Sequence, residues 1–258
     1  MNPNPTQTVL SSMQRHGVRC LLMGGQACVF YGAAEFSRDV DFAILAEPEN
    51  LRRLQAALNE LKASVIAIPA FEESHLHRGL AIHFRCQAPG VENLRIDVMT
   101  VMRGVDPFPQ LWERRTTIAT DDGEADLLSL PDLVKAKKTQ RAKDWPMLKR
   151  LLEAHWFQNR FDATPARIDF WLRECRTSEI LIELATSYPA EAAAAEAARP
   201  ALAPALAKDI DGLEHALEQE RQIEVAADRA YWAPLREELE LLRRRAARQQ
   251  NGEPTANR

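Results

Sequence analysis

No stretch of the sequence approaches the roughly 20 consecutive apolar residues that a membrane-spanning helix needs. The opening Met1-Asn2-Pro3-Asn4-Pro5 has neither the basic start nor the apolar segment of a secretory leader. The expectation is a soluble, cytoplasmic protein. Cysteine is scarce: Cys20, Cys28, Cys86 and Cys175 are far apart, with no paired spacing of the zinc or redox kind, so four buried, reduced thiols are expected. Excess charge is also lacking. Lys and Arg number 33 against 37 Asp and Glu, a formal charge of -4, which excludes a global field that would draw the chain onto nucleic acid or an anionic membrane. There is no internal repeat and no nucleophilic Ser or Cys motif. His75-x-His77 with His83 matches metal-ligand spacing only loosely, so these histidines are expected at the surface.

What the chain does have is enough apolar side chain, 46% of 258 residues, for one sizeable core and a smaller second one. Patterning changes near Thr120. Before it, strand-like runs alternate with helical ones: strands over 18–23, 39–45, 64–68, 79–86 and 94–100, and helices over 26–34 and 51–61. The segments 116–120 and 124–128 flank Asp121-Asp122-Gly123 and read as a peripheral hairpin. After it, helices are the economical reading: 131–140, 145–155, 165–175, 178–185, an Ala-rich helix over 190–207, and a Glu/Arg-laced helix over 209–249. Trp145 and Trp156 are expected in a core. The predicted fold class is α+β, a small mixed sheet flanked by helices and followed by an all-helical region. The predicted boundaries are 1–128, 129–250 and a disordered tail over 251–258.

The chemistry concentrates in Leu22-Met23-Gly24-Gly25-Gln26-Ala27 and Ser37-Arg38-Asp39-Val40-Asp41-Phe42. Two glycines between a strand and a helix let the backbone approach a ligand closely, and a helix start offers free N–H groups to a triphosphate. The same pair would also serve as an ordinary turn. Asp39 and Asp41, two apart on a strand, project from one face while Val40 and Phe42 enter the core. Two adjacent carboxylates suit a hard cation such as magnesium, although an exposed strand end carries the same pattern. Asp97, within Leu94-Arg95-Ile96-Asp97-Val98-Met99, interrupts an apolar strand and is costly to bury unpaired. If the two strands are neighbours, three carboxylates converge as a two-metal site requires.

These residues resemble the DNA polymerase β-like nucleotidyltransferase superfamily, whose signature runs from Gly-Gly or Gly-Ser to Asp-x-Asp and a later lone Asp. Gly24, Gly25, Asp39, Asp41 and Asp97 fall on those positions, with Ser37 where hydroxyl residues are frequent. The resemblance spans about 18–100. It continues more weakly through Lys137, Arg141 and Asp144, as in stand-alone bacterial members similar to the transferase toxins of abortive-infection systems. It implies a nucleotidyltransferase catalytic domain over 1–128 with two Mg2+ ions on Asp39, Asp41 and Asp97, and a nucleoside triphosphate contacted by Gly24, Gly25 and Ser37. Lys137 and Arg141, braced by Asp144, would neutralise phosphate charge, with a solvated basic helix face as the alternative. The acceptor would be tRNA or other RNA, a protein, or a small molecule, and an antitoxin would be a partner if the chain is a toxin. A non-catalytic interaction module of the same fold is the competing class. Glu35 stands where many relatives carry Arg.

Overall fold

A computed structural model describes residues 4–34, 36–120 and 123–250; the tail over 251–258, Glu35, and Asp121 and Asp122 of the expected hairpin turn lie outside the described residues. The chain divides into two compact units. The first comprises residues 4–29, 36–136 and 230–250, and the second 30–34 and 137–229.

The first unit is built on a mixed sheet, seven-stranded among the described residues, ordered β3-β4-β5-β2-β1-β7-β6. Its strands are β1 (Cys20–Met23), β2 (Asp39–Ile44), β3 (Ser64–Val65), β4 (Ile82–Arg85), β5 (Arg95–Met99), β6 (Thr116–Thr120) and β7 (Gly123–Leu127). Its helices are α1 (Pro5–Arg15), α2 (Gly24–Phe30), α3 (Pro48–Glu60), α4 (Glu73–His77), α5 (Phe108–Glu113) and α6 (Leu130–Ala136). Alternation sets the core: Val40, Phe42, Ile96 and Val98 are buried, while Asp39, Asp41 and Asp97 point to the other face and keep partial access to water. The hairpin of β6 and β7 is integral to the sheet, since β7 joins β1 in parallel at Leu22↔Leu127.

Asn50 fastens α3 to the strand ends. Its amide accepts from Arg19 N at 2.7 Å and donates to the carbonyls of Arg19 at 3.0 Å and Leu45 at 2.8 Å; the Arg19 carbonyl also accepts from Leu45 N at 3.2 Å. Asp132 on α6, 1% exposed, receives a fork from Arg114 at 2.6 and 2.8 Å and a hydrogen bond from Ser129 at 2.7 Å. Burial alone would raise its carboxyl pKa, but these donors hold it below the ordinary value.

The second unit is helical, with α7 (Asp144–Asn159), α8 (Pro165–Glu174), α9 (Ser178–Ser187), α10 (Pro189–Glu196) and α11 (Leu202–Leu206). The last helix, α12 (Ile210–Gln250), supplies residues 210–229 here and 230–250 to the first unit. The core gathers Trp156, Trp171, Leu172, Leu181, Leu202 and Leu213, and Trp145 is buried as expected. The Ala-rich stretch is two helices rather than one. Pro200 has no N–H to continue the ladder, and buried Arg199 turns inward to donate to the carbonyls of Leu172 at 2.8 Å and Cys175 at 2.6 Å.

Other expectations are also corrected. The helix predicted to Gln140 stops at Ala136, because the next residues fold onto Asp144 and Trp145. Thr139 donates to Asp144 at 2.6 Å, and the Trp145 indole donates to the Thr139 carbonyl at 2.9 Å. α1, α4 and α5 add to the predicted helices. His75 is buried rather than at the surface, with Nδ1 2.9 Å from the Ala70 carbonyl. All four cysteines are buried and free, and burial pushes the thiols of Cys20 and Cys86 up to about 12 and about 11. No described helix is long and apolar enough to cross a membrane.

Candidate active site

The parallel register of β2 and β5 sets Asp41 directly beside Asp97 and Asp39 beside Arg95. On the other side, β1 runs antiparallel to β2 with Met23 opposite Asp41, so the chain leaves β1 at Gly24 next to that carboxylate. Alternation puts Asp39, Asp41, Arg95 and Asp97 on one face of the sheet. The three acids named from sequence are therefore gathered on two neighbouring strands.

Gly24 has φ +67°, a conformation that costs L side chains energy, and a Cβ there would lie 1.9 Å from Oδ2 of Asp41. Glycine is what allows the carboxylate to rest against the backbone at the end of β1. At Gly25 a Cβ would meet Ser37 Oγ at 2.5 Å, so the segment before β2 also packs on a glycine. Ser37 Oγ donates to the Asp39 carbonyl at 3.1 Å, and the buried Gln26 side chain donates to the Ser37 carbonyl at 2.9 Å. These bonds tie Gly24, Gly25, Ser37 and the Asp-x-Asp strand into one local frame.

Asp97 is held by two side chains. Arg95 grips it in bidentate fashion, Nε to Oδ1 at 2.7 Å and Nη2 to Oδ2 at 2.8 Å. His83, register-opposed on β4, places Nδ1 2.9 Å from the same Oδ1 and 3.0 Å from Arg95 Nη2. A neutral His83 donates to Asp97 in one tautomer and accepts from Arg95 in the other. Burial by itself would raise the Asp97 carboxyl, yet His83 and Arg95 together hold it below the usual carboxylate range. The Arg95 guanidinium is strengthened in turn, first by its hydrogen bonds to Asp97 and also by the charges of Asp97, Asp39 and Asp41.

Beside His83, Pro69, Leu80, Trp232, Leu235 and Leu239 line a small, largely apolar cavity of about 150 Å³. In the second unit, Lys137 is buried with its ammonium 3.3 Å from Asp144, and Arg141 donates from Nε to the same carboxylate at 2.8 Å. Both basic residues lie in the connection between α6 and α7. Burial would raise Asp144, and Lys137, Thr139 and Arg141 outweigh it, leaving the carboxyl lowered.

Nothing in this chain matches a family model, and no curated protein matches it. A partial likeness exists among solved structures. An antigenic nucleotidyltransferase-like protein from Paracoccidioides brasiliensis is 15% identical, covers 58% of this chain and 77% of its own, and has a TM-score of 0.37.

Hard carboxylate oxygens on facing strands, with a glycine clearing the space at Asp41, are the donor chemistry of a magnesium-type ion. Among the described residues, however, no three His, Cys, Asp or Glu side chains are gathered closely enough to hold an ion. Arg95 occupies both oxygens of Asp97. The sequence pattern gives Arg95 no role and sets His83 among surface histidines, whereas His83 lies partly buried against Asp97. Arg95 was legible, being two residues before Asp97 and so on its face; His83 depends on the β4–β5 register, which local pattern does not carry.

Proposed function

We propose that the first unit is a divalent-metal-dependent nucleotidyltransferase that moves a nucleoside monophosphate from a nucleoside triphosphate onto a hydroxyl acceptor. The observation that supports this reading most is the Asp41↔Asp97 register with Asp39 two residues away, beside a glycine whose missing Cβ makes room for Asp41. Asp39, Asp41 and Asp97 would hold the metal. When bound, two Mg2+ ions supply Lewis-acid stabilisation of the attacking and leaving oxygens of an in-line displacement. Gly24, Gly25 and Ser37 present the backbone and a hydroxyl to the triphosphate. The acceptor oxygen bonds to the α-phosphorus, its proton passes to Asp97 once Arg95 no longer holds both carboxylate oxygens, and the α–β bridging bond breaks to release pyrophosphate. Lys137 and Arg141, which the resemblance assigns to offsetting phosphate charge, belong to the second unit and are given no part in this step.

Incubation of the protein with magnesium and each α-labelled nucleoside triphosphate, against RNA, cell protein and an aminoglycoside panel, tests the reading. Label should enter one acceptor pool, and Asp39→Ala or Asp41→Ala should abolish transfer while leaving the circular dichroism spectrum intact. Transfer that persists in either variant would sink the assignment. The resemblance to abortive-infection transferases extends the proposal to a toxin, expected to arrest growth when expressed alone and to be relieved by a neighbouring antitoxin gene. A second reading, a non-catalytic interaction module, is favoured by the complete engagement of Asp97 by Arg95 and His83. It predicts neither magnesium nor triphosphate binding in calorimetry.

A further inference from the structure

We infer that Arg95 is a built-in counter-cation that occupies the Asp97 carboxylate until a divalent ion displaces it, so that metal loading is an exchange of one cation for another. The inference rests on the proposed metal site. Three carboxylates on adjacent strands repel one another unless a positive charge lies among them. The guanidinium meets that need: it lies on the same face, is register-matched to Asp39, is bidentate to Asp97, and feels the charge of all three acids. An arginine stays protonated throughout the working pH range, so the competition cannot be relieved by deprotonation and must be relieved by movement.

The Arg95 side chain is 37% exposed, against 17% for Asp97, so it reaches the site from the solvent side on a flexible stem. His83 remains against Asp97 when Arg95 leaves and keeps the carboxylate oriented, as a partner behind a metal-binding carboxylate does. Arg85, opposite Arg95 on β4 and exposed, adds positive charge on the side away from Asp39.

Titration of Mn2+ alone, followed by the loss of its free-ion electron paramagnetic resonance signal, tests the exchange without any reaction. Arg95→Gln should bind Mn2+ about tenfold tighter than the parent, the change expected when a charge-assisted bidentate competitor is removed. Arg95→Lys, which keeps the charge and loses the fork, should fall between them. Without metal, Arg95→Gln should melt lower than the parent, and Mn2+ should restore most of the difference, which a merely structural arginine would not show. Asp41→Asn should weaken Mn2+ binding in both backgrounds. If Asp41→Asn weakens binding while Arg95→Gln and Arg95→Lys bind no tighter than the parent, the exchange is refuted and the metal site stands. If neither the parent nor Arg95→Gln binds Mn2+, or Asp41→Asn leaves binding unchanged, the metal site and the exchange fall together.

Discussion

At the scale of single residues the site depends on two atoms that are absent and one charge that is present. Gly24 combines a left-handed backbone with a Cβ position 1.9 Å from Asp41 Oδ2. Gly24→Ala is therefore expected to cost at least about 1–2 kcal/mol from backbone strain and to push Asp41 out of place. Urea denaturation should show the loss, and Mn2+ titration should show weakened binding; a variant that matches its parent in both would refute this account of the glycine. The placing of Gly24 and Gly25 at the end of a strand and of Asp39 and Asp41 on one strand face was legible in the sequence, because strand alternation and a strand-ending diglycine are local properties. The grip of Arg95 was half legible: its face follows from being two residues before Asp97, but its bidentate contact depends on side-chain geometry that no pattern encodes.

At the scale of elements, short strands become a sheet through a few clamps placed outside the ladder. Asn50 on α3 bonds three backbone groups at the ends of β1 and β2. Asn50→Ala removes those partners from a 4% exposed position and should lower stability by about 2–3 kcal/mol. Thermal melting would expose the error if the midpoint stayed within a degree of the parent. The strand positions were readable from apolar runs, and β2 and β5 fall within a residue or two of expectation. Helix ends were less readable. α1 carried a usable signal, an Asn4 side chain capping Thr6 N at 3.1 Å with proline in the first turn. The stop at Ala136 carried none, since Asp144 draws Thr139 and Arg141 to itself from several residues downstream.

For the molecule as a whole, the second unit depends on a buried charge network and should be sensitive to acid. Asp144 is 2% exposed and paired with Lys137, Arg141 and Thr139. Its folded-state pKa lies below its ordinary value, so its contribution is complete above pH of about 4 and is lost as pH falls through the lowered value. Asp144→Asn should cost about 3 kcal/mol at pH 7 by leaving Lys137 buried without its carboxylate. It should also flatten the acid limb of stability against pH. Fluorescence of Trp145, Trp156 and Trp171, all in this unit, would follow the transition, and an acid limb unchanged by the substitution would contradict the role given to Asp144. The sequence by itself determined the α+β class, the shared strand face of Asp39 and Asp41 and the burial of the cysteines, because periodicity and composition act over a few neighbouring residues. Only the tertiary structure decided that β2 lies beside β5 with Asp41 against Asp97, that His83 and Arg95 close around Asp97, and that residues 230–250 belong with the first unit. Strand order and register are fixed by the lowest-energy burial of the whole core, a competition among all segments at once that no local stretch records.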